Sequence, residues 1–314
     1  MSTKFMPRNV RPAGDLINLC NRFLDHIKNV LSVNTVKAYQ IDLEQLVGFC
    51  RGGGIESIQQ INAIIIDNWL DAMMKGEGVK PRTAARKLEA AKSLLRWAFQ
   101  RELINSNPGD RCHISYDEAP VIAPPSEVMN RVIDTISTES TLGKRDRAML
   151  LLMKDGAMRI SAVASLDLYN PDQPPIHSIH PNGLIYYPCK GRTENTIVQR
   201  GTLQAVQAWL DVRHELVKRN SPTALFLSTR GSRMGRGAIH SRVKHAGKEA
   251  GVPSLHAHLL RHRRIGDLIE KTGDFRLGQA LAGHKRATTT ISVYGHSERI
   301  KLLKRIQGEG DENK

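Results

Sequence analysis

HLLRHRRIGDLIEKTGDFRLGQALAGHKRATTTISVY, residues 258–294, is the stretch from which the rest of the chain is read. His258 and Arg261 stand three apart, so a helix places them on one face. Ile265, Leu268 and Ile269 turn that helix into the core, and Gly273 ends it. A second helical segment follows, with Leu277, Ala280 and Leu281 expected inward. Gly283 stops it and leaves His284 at a helix end. Tyr294 comes ten residues later, after a Thr-rich run.

This set of side chains suits chemistry at a phosphodiester. Arginine forks grip nonbridging oxygens and stabilise the charge that gathers in the transition state. A tyrosine hydroxyl can attack phosphorus and hold it as a phosphotyrosine. Histidines can hydrogen-bond phosphate oxygens or assist proton transfer. No metal is required for that chemistry, and no cofactor is expected. The plain alternative is a helical protein whose histidines merely sit at its surface.

The order His258-Leu259-Leu260-Arg261-His262, then Ala282-Gly283-His284, then Tyr294 resembles the tyrosine recombinase (phage integrase) family, whose pattern is H-x-L-R-H, L-G-H and a tyrosine. Two positions depart from it: Ala282 replaces a leucine, and the His284–Tyr294 spacing is one residue longer. A second match is Asp155-Gly156-Ala157-Met158-Arg159-Ile160-Ser161, which resembles the family's T-G-L-R-[IV]-S-E and makes Arg159 the first catalytic arginine. Gly156 and Ala157 stand in place of Thr and Gly, and Ala162 in place of the acidic residue.

The chain has 314 residues, enough for two domains. It carries 46 Lys and Arg against 31 Asp and Glu, a formal charge of +15. Residues 1–120 hold 16 basic and 13 acidic side chains, a net of +3, which leaves +12 on the remainder. An excess of that kind points to a polyanion partner, although solubility alone can also explain it. Cys20, Cys50, Cys112 and Cys189 lack metal-ligand spacing, and Cys189 stands beside a lysine. No apolar h-region opens the chain and no apolar run is long enough to span a bilayer. A reducing, cytoplasmic setting is expected.

Taken in order, residues 1–12 read as a flexible basic arm. Residues 13–104 read as an all-helical domain, with helices over 15–30, 35–50 (Asn34 as N-cap), 61–74 and 83–101. The last is basic at its start, where Lys80, Arg82 and Arg86 can meet phosphates; an ordinary solvated face is the competing reading. Four prolines mark a linker over 105–126. The second domain, 127–306, begins with helices and turns strand-like over 177–200. There 183–187 and 196–198 flank a turn of Lys190-Gly191-Arg192-Thr193-Glu194-Asn195. A helix over 201–216 follows, then a glycine-bearing basic loop and a basic helix. Arg236, Arg242, Lys244 and Lys248 there suit phosphate backbone recognition. A short helix over 297–306 and a polar tail, 307–314, close the chain.

The resemblance implies the rest. The fold class is mainly α: a helical core-binding (SAM-like) domain, then an α+β catalytic domain with a small antiparallel sheet, in the simple two-domain, Xer-like arrangement. The activity is site-specific recombination or integration of DNA, of the kind that serves mobile elements. Cleavage and rejoining pass through a 3′-phosphotyrosine. Arg159, Lys190, His258, Arg261, His284 and Tyr294 are the catalytic set, with Lys190 as the acid and Arg192 as its rival. The partner is double-stranded DNA with a specific site, bound by a homo-tetramer on two duplexes; an accessory DNA-bending protein is a further partner this allows. Three other readings stay open on sequence: a type IB topoisomerase, a DNA-binding relative with a decayed site, and a metal-dependent nuclease.

Overall fold

The computed structural model describes residues 15–116, 123–172, 177–189, 192–218 and 223–283. The chain divides into two compact units, Met1–Ala119 and Pro120–Lys314.

The first unit is built on four helices: α1 (Leu16–Lys28), α2 (Val33–Gly52), α3 (Ala63–Asp71) and α4 (Pro81–Gln100). Each exists because apolar residues recur at helical spacing. Leu16, Leu19, Phe23 and Ile27 line one side of α1; Leu88, Ala91 and Leu95 do so on α4, and all are buried. Burial of a side chain of this size contributes about 1.5–3 kcal/mol. The N-cap of α2 is Ser32, whose hydroxyl accepts the Thr35 N–H at 3.2 Å, rather than Asn34. Both are good capping residues, and with Ser32 as the cap the helix begins two residues earlier, at Val33. Pro81 occupies the first position of α4, where its missing N–H costs nothing. The proline-rich stretch is also more structured at its start than a linker suggests. Pro108–Arg111 forms a 3₁₀ turn packed on α3 and α4, and Cys112 is buried in this unit's core.

The second unit comprises α5 (Ser126–Asp134), α6 (Thr141–Asp155), α7 (Ile160–Ser165), β1 (Leu184–Cys189), β2 (Arg192–Ile197), α8 (Arg200–Arg213), α9 (Arg236–Glu249), α10 (Ala257–Thr272) and α11 (Phe275–Ala282). α6 is central; it packs against α8 and α10, while α10 carries α11. The sheet is one antiparallel pair, in which Tyr187 faces Glu194 and Cys189 faces Arg192. Arg192–Asn195, read above as turn, therefore belong to β2, because the polar residues still alternate between faces. Gly273 and Gly283 end α10 and α11 in the left-handed conformation, with φ of 67° and 54°. On α11 the inward residues are Gly278 and Ala282, whereas Leu277 is 46% exposed. Gly278 faces α10 so closely that a Cβ there would lie 2.5 Å from Ile269 Cδ1, so this contact, not leucine burial, sets the helix's rotation.

Candidate active site

Arg159 is the N-cap residue of α7, immediately after a sharp bend at Ala157, whose φ is 49°. That left-handed conformation is costly for a residue with a Cβ, and it turns the Ala157 carbonyl toward α10. Arg261 projects from the first turns of α10, is 2% exposed, and donates Nη1 to the Ala157 carbonyl. Its Nη2 donates to the Ala282 carbonyl at 2.5 Å. Arg159 donates Nη2 to that same carbonyl at 3.0 Å. Two guanidiniums, 102 positions apart in the chain, thus meet on the last residue of α11, next to Gly283.

The hairpin closes the other side. Its inner face carries Tyr187, Cys189 and Glu194. Arg159 Nη1 donates to Cys189 Sγ at 3.2 Å and lies 3.6 Å from Glu194 Oε2. Arg192 donates Nε and Nη2 to Glu194 Oε1 at 3.1 and 2.5 Å. Tyr187 is buried, which pushes its phenol pKa up; the Arg261 and Arg159 charges oppose that shift, and Glu194 adds to it.

His258 lies one turn before Arg261, exposed at its residue surface. Partial burial of its ring, and then the Arg261, His256 and Arg159 charges, hold its pKa below the usual range. A neutral imidazole at pH 7 follows, able both to donate and to accept. His262, 8% exposed on the inner side of α10, is pushed down to about 4, mainly by burial and then by His258 and Arg263.

Of the catalytic set expected from sequence, Arg159, Arg261 and His258 are brought together. Lys190, His284 and Tyr294 lie outside the described residues, as do the proposed terminal helix, the basic arm and the tail. The groups not anticipated are the Ala282 carbonyl, Cys189 and Glu194. The strand alternation that pairs Tyr187 with Glu194 was the available signal.

The basic residues separate into two kinds. Lys80, Arg82, Arg236, Lys244 and Lys248 are exposed. Arg86 is exposed as well, yet its guanidinium forks onto the buried Asp42, with Nη2 donating to Oδ1 at 2.8 Å. Lys87, read as part of no site, is buried against the same carboxylate and Gln45. Arg242 Nε donates to Asp146 Oδ2 at 2.6 Å, while Arg145 takes Oδ1. Arg86 and Arg242 therefore brace the fold in addition to whatever they meet outside it. All four cysteines are buried and free. No helix among the described residues is long and apolar enough to cross a membrane, and no three of their His, Cys, Asp or Glu side chains group to hold a metal ion.

Residues 125–300 match the phage integrase family, and residues 20–102 match the phage integrase N-terminal SAM-like domain. The chain belongs to the phage integrase family, the tyrosine recombinases. It is 29% identical over 289 residues to tyrosine recombinase XerC of Shigella flexneri serotype 5b (strain 8401), covering 90% of this chain and 92% of that protein. The same figures hold for XerC of Escherichia coli O139:H28 (strain E24377A / ETEC). Among solved structures, XerH site-specific recombinase bound to difH in a pre-cleavage complex shares the fold, with a TM-score of 0.69, 18% identity, and coverage of 92% of this chain and 95% of that one. A lambda integrase dimer bound to a COC′ core site has a TM-score of 0.66 at 16% identity, covering 90% and 78%. The enzyme class is accordingly site-specific tyrosine recombinase, and the topoisomerase and decayed-site readings are not favoured.

Proposed function

We propose that this chain cleaves and rejoins double-stranded DNA at a specific site through a 3′-phosphotyrosine, with Arg159, Arg261 and His258 holding the scissile phosphate. The observation that carries this reading is the convergence of Arg159 and Arg261 on the Ala282 carbonyl, one residue from Gly283-His284. Backbone carbonyls hold Arg261 by both Nη atoms and Arg159 by Nη2 before any substrate arrives, so these two cations are already placed when charge gathers in the transition state. Arg159 keeps 28% of its side chain exposed and meets substrate from that edge. Neutral His258 contributes a hydrogen bond to a nonbridging oxygen without adding a third charge beside the arginines.

In this reading Tyr294 Oη attacks phosphorus while its proton passes to a histidine of the catalytic set, His258 or His284. The P–O5′ bond breaks, and Lys190 delivers a proton to the departing O5′. The 3′-phosphate remains on the tyrosine. A 5′-hydroxyl from a partner strand then attacks that phosphorus and returns the tyrosine, so one phosphodiester replaces another and no nucleotide triphosphate is spent. His284 serves the same phosphate. Lys80, Arg82, Arg236, Lys244 and Lys248 meet the DNA backbone. Four copies on two duplexes, in the cytoplasm, complete the assignment. Its support is the family match together with XerH and lambda integrase having been solved on DNA, one lambda integrase structure being a tetramer on a Holliday junction.

The test is denaturing capture of DNA from a random-sequence duplex library in excess chelator. Covalently attached DNA is expected, and its sequence identifies the target. DNA that leaves the denatured protein entirely contradicts the proposal. Lys190→Ala is expected to lower cleavage at least 100-fold, in the range typical of a lost general acid, with binding little changed. Sulfur in place of the leaving 5′-oxygen is expected to restore most of that rate; without rescue the acid role passes to Arg192.

A further inference from the structure

We infer that Glu194 is the internal counter-anion of this site: its carboxylate holds Arg159 in the DNA-free protein and must leave that guanidinium when a phosphate enters. The inference rests on the proposed role of Arg159 and deepens it.

Three observations place the carboxylate. Glu194 Oε2 lies 3.6 Å from Arg159 Nη1, on the side of the fork not occupied by the Ala282 carbonyl. Glu194 is also pressed against the end of α11: a Cβ on Gly283 would fall 2.6 Å from Oε2 and 2.9 Å from Oε1. That position adjoins Ala282, whose carbonyl Arg159 and Arg261 share, so the carboxylate stands where the two proposed catalytic arginines converge. Third, the side chain is only 13% exposed, which leaves its charge poorly screened by water.

An anionic phosphate approaching Arg159 therefore meets a resident anion, and the two repel at short range. The hairpin supplies a way out. Arg192, two residues earlier on the same strand, already holds Oε1 with two donors and is half exposed. Glu194 can release Arg159 and keep Arg192, so the exchange leaves no carboxylate without a cation. Glu194 is thus a positioning residue. It keeps the Arg159 fork aligned while the site is empty, and it sets how strongly the empty site binds any stray anion.

The test uses the full chain and inorganic phosphate as the probe, at constant ionic strength. The readout is the Arg159 Nε–Hε NMR resonance, assigned by its loss in Arg159→Lys. Glu194→Gln is expected to bind phosphate about tenfold more tightly than wild type, the order of effect given by removing one poorly screened charge a few ångströms away. Glu194→Asp, which keeps the charge, is expected to stay within about twofold of wild type. Equal or weaker phosphate binding by Glu194→Gln overturns the inference, as does the absence of a saturable shift at Arg159 in both proteins. A merely structural glutamate would change the melting temperature in both variants and leave phosphate affinity alone. Covalent capture of DNA is scored separately on the wild type. Tightening without any covalent adduct refutes the proposed reaction and leaves the counter-anion standing; an adduct without tightening does the reverse.

Discussion

His262 shows how one residue can couple this fold to pH. Its neighbours on α10, His258 and Arg261, face the site, while His262 is turned inward and its pKa is held at about 4. In the unfolded chain an imidazole titrates near ~6.5. The folded state thus binds its proton less readily, and the stability contribution is fully present above about pH 6.5, falling until the loss is complete near about pH 4. That loss is on the order of 3 kcal/mol. His262→Gln is expected to be flatter than wild type over this window in urea denaturation; parallel curves would mean that carboxylates alone set the acid limb. Arg159 and Arg261 were legible in the sequence because motif residues flank them. Ala157 was visible only as a departure from a glycine. Its φ of 49° supplies the reason that a glycine suits this place: the bend must aim a carbonyl at Arg261.

At the scale of elements, α10 and α11 work as one part. Arg261 begins the pair and Ala282 ends it, and the hydrogen bond between them spans the angle where Gly278 lets the helices touch. Gly278→Ala must push Ile269 aside, a change expected to cost about 1–3 kcal/mol. Because it also displaces the carbonyl shared by both arginines, it is expected to reduce cleavage more than DNA binding, measured by gel shift and by single-turnover cleavage on the same preparation. A loss of stability with cleavage unchanged would show that the two arginines do not depend on this contact. Helix positions were readable from apolar spacing, and so were both glycine stops. The rotation of α11 was not, since Leu277 fits an inward pattern as well as Gly278 does, and only the facing surface of α10 decides between them. The hairpin was readable as two strands. Its reach was not, because Arg192–Asn195 carry the polar residues of a turn while pairing with Tyr186–Cys189. Placing the turn over Arg192–Asn195 hid Glu194.

For the whole molecule, the uneven charge is the feature that sequence and structure share. Residues 121–314 hold a net of +12. DNA affinity is expected to fall steeply with salt, by about 0.9 in log K per unit of log salt for each phosphate neutralised. Lys248→Ala is expected to lower that slope by about 1 and leave stability alone. Arg242→Ala is expected to weaken binding and also to destabilise the fold, since it removes a cation from the buried Asp146. Equal melting temperatures for the two variants would refute the bracing role. The distinction could not be drawn from sequence, where both are cations on one basic helix. That this basic molecule breaks DNA by making a bond to one tyrosine is tested most directly by mass spectrometry of the trapped protein–DNA adduct after nuclease and protease digestion. The nucleotide 3′-phosphate is expected on the peptide containing Tyr294, and Tyr294→Phe is expected still to bind DNA and to yield no adduct. A phosphate on Tyr186 or Tyr187, or an adduct that survives Tyr294→Phe, would contradict it.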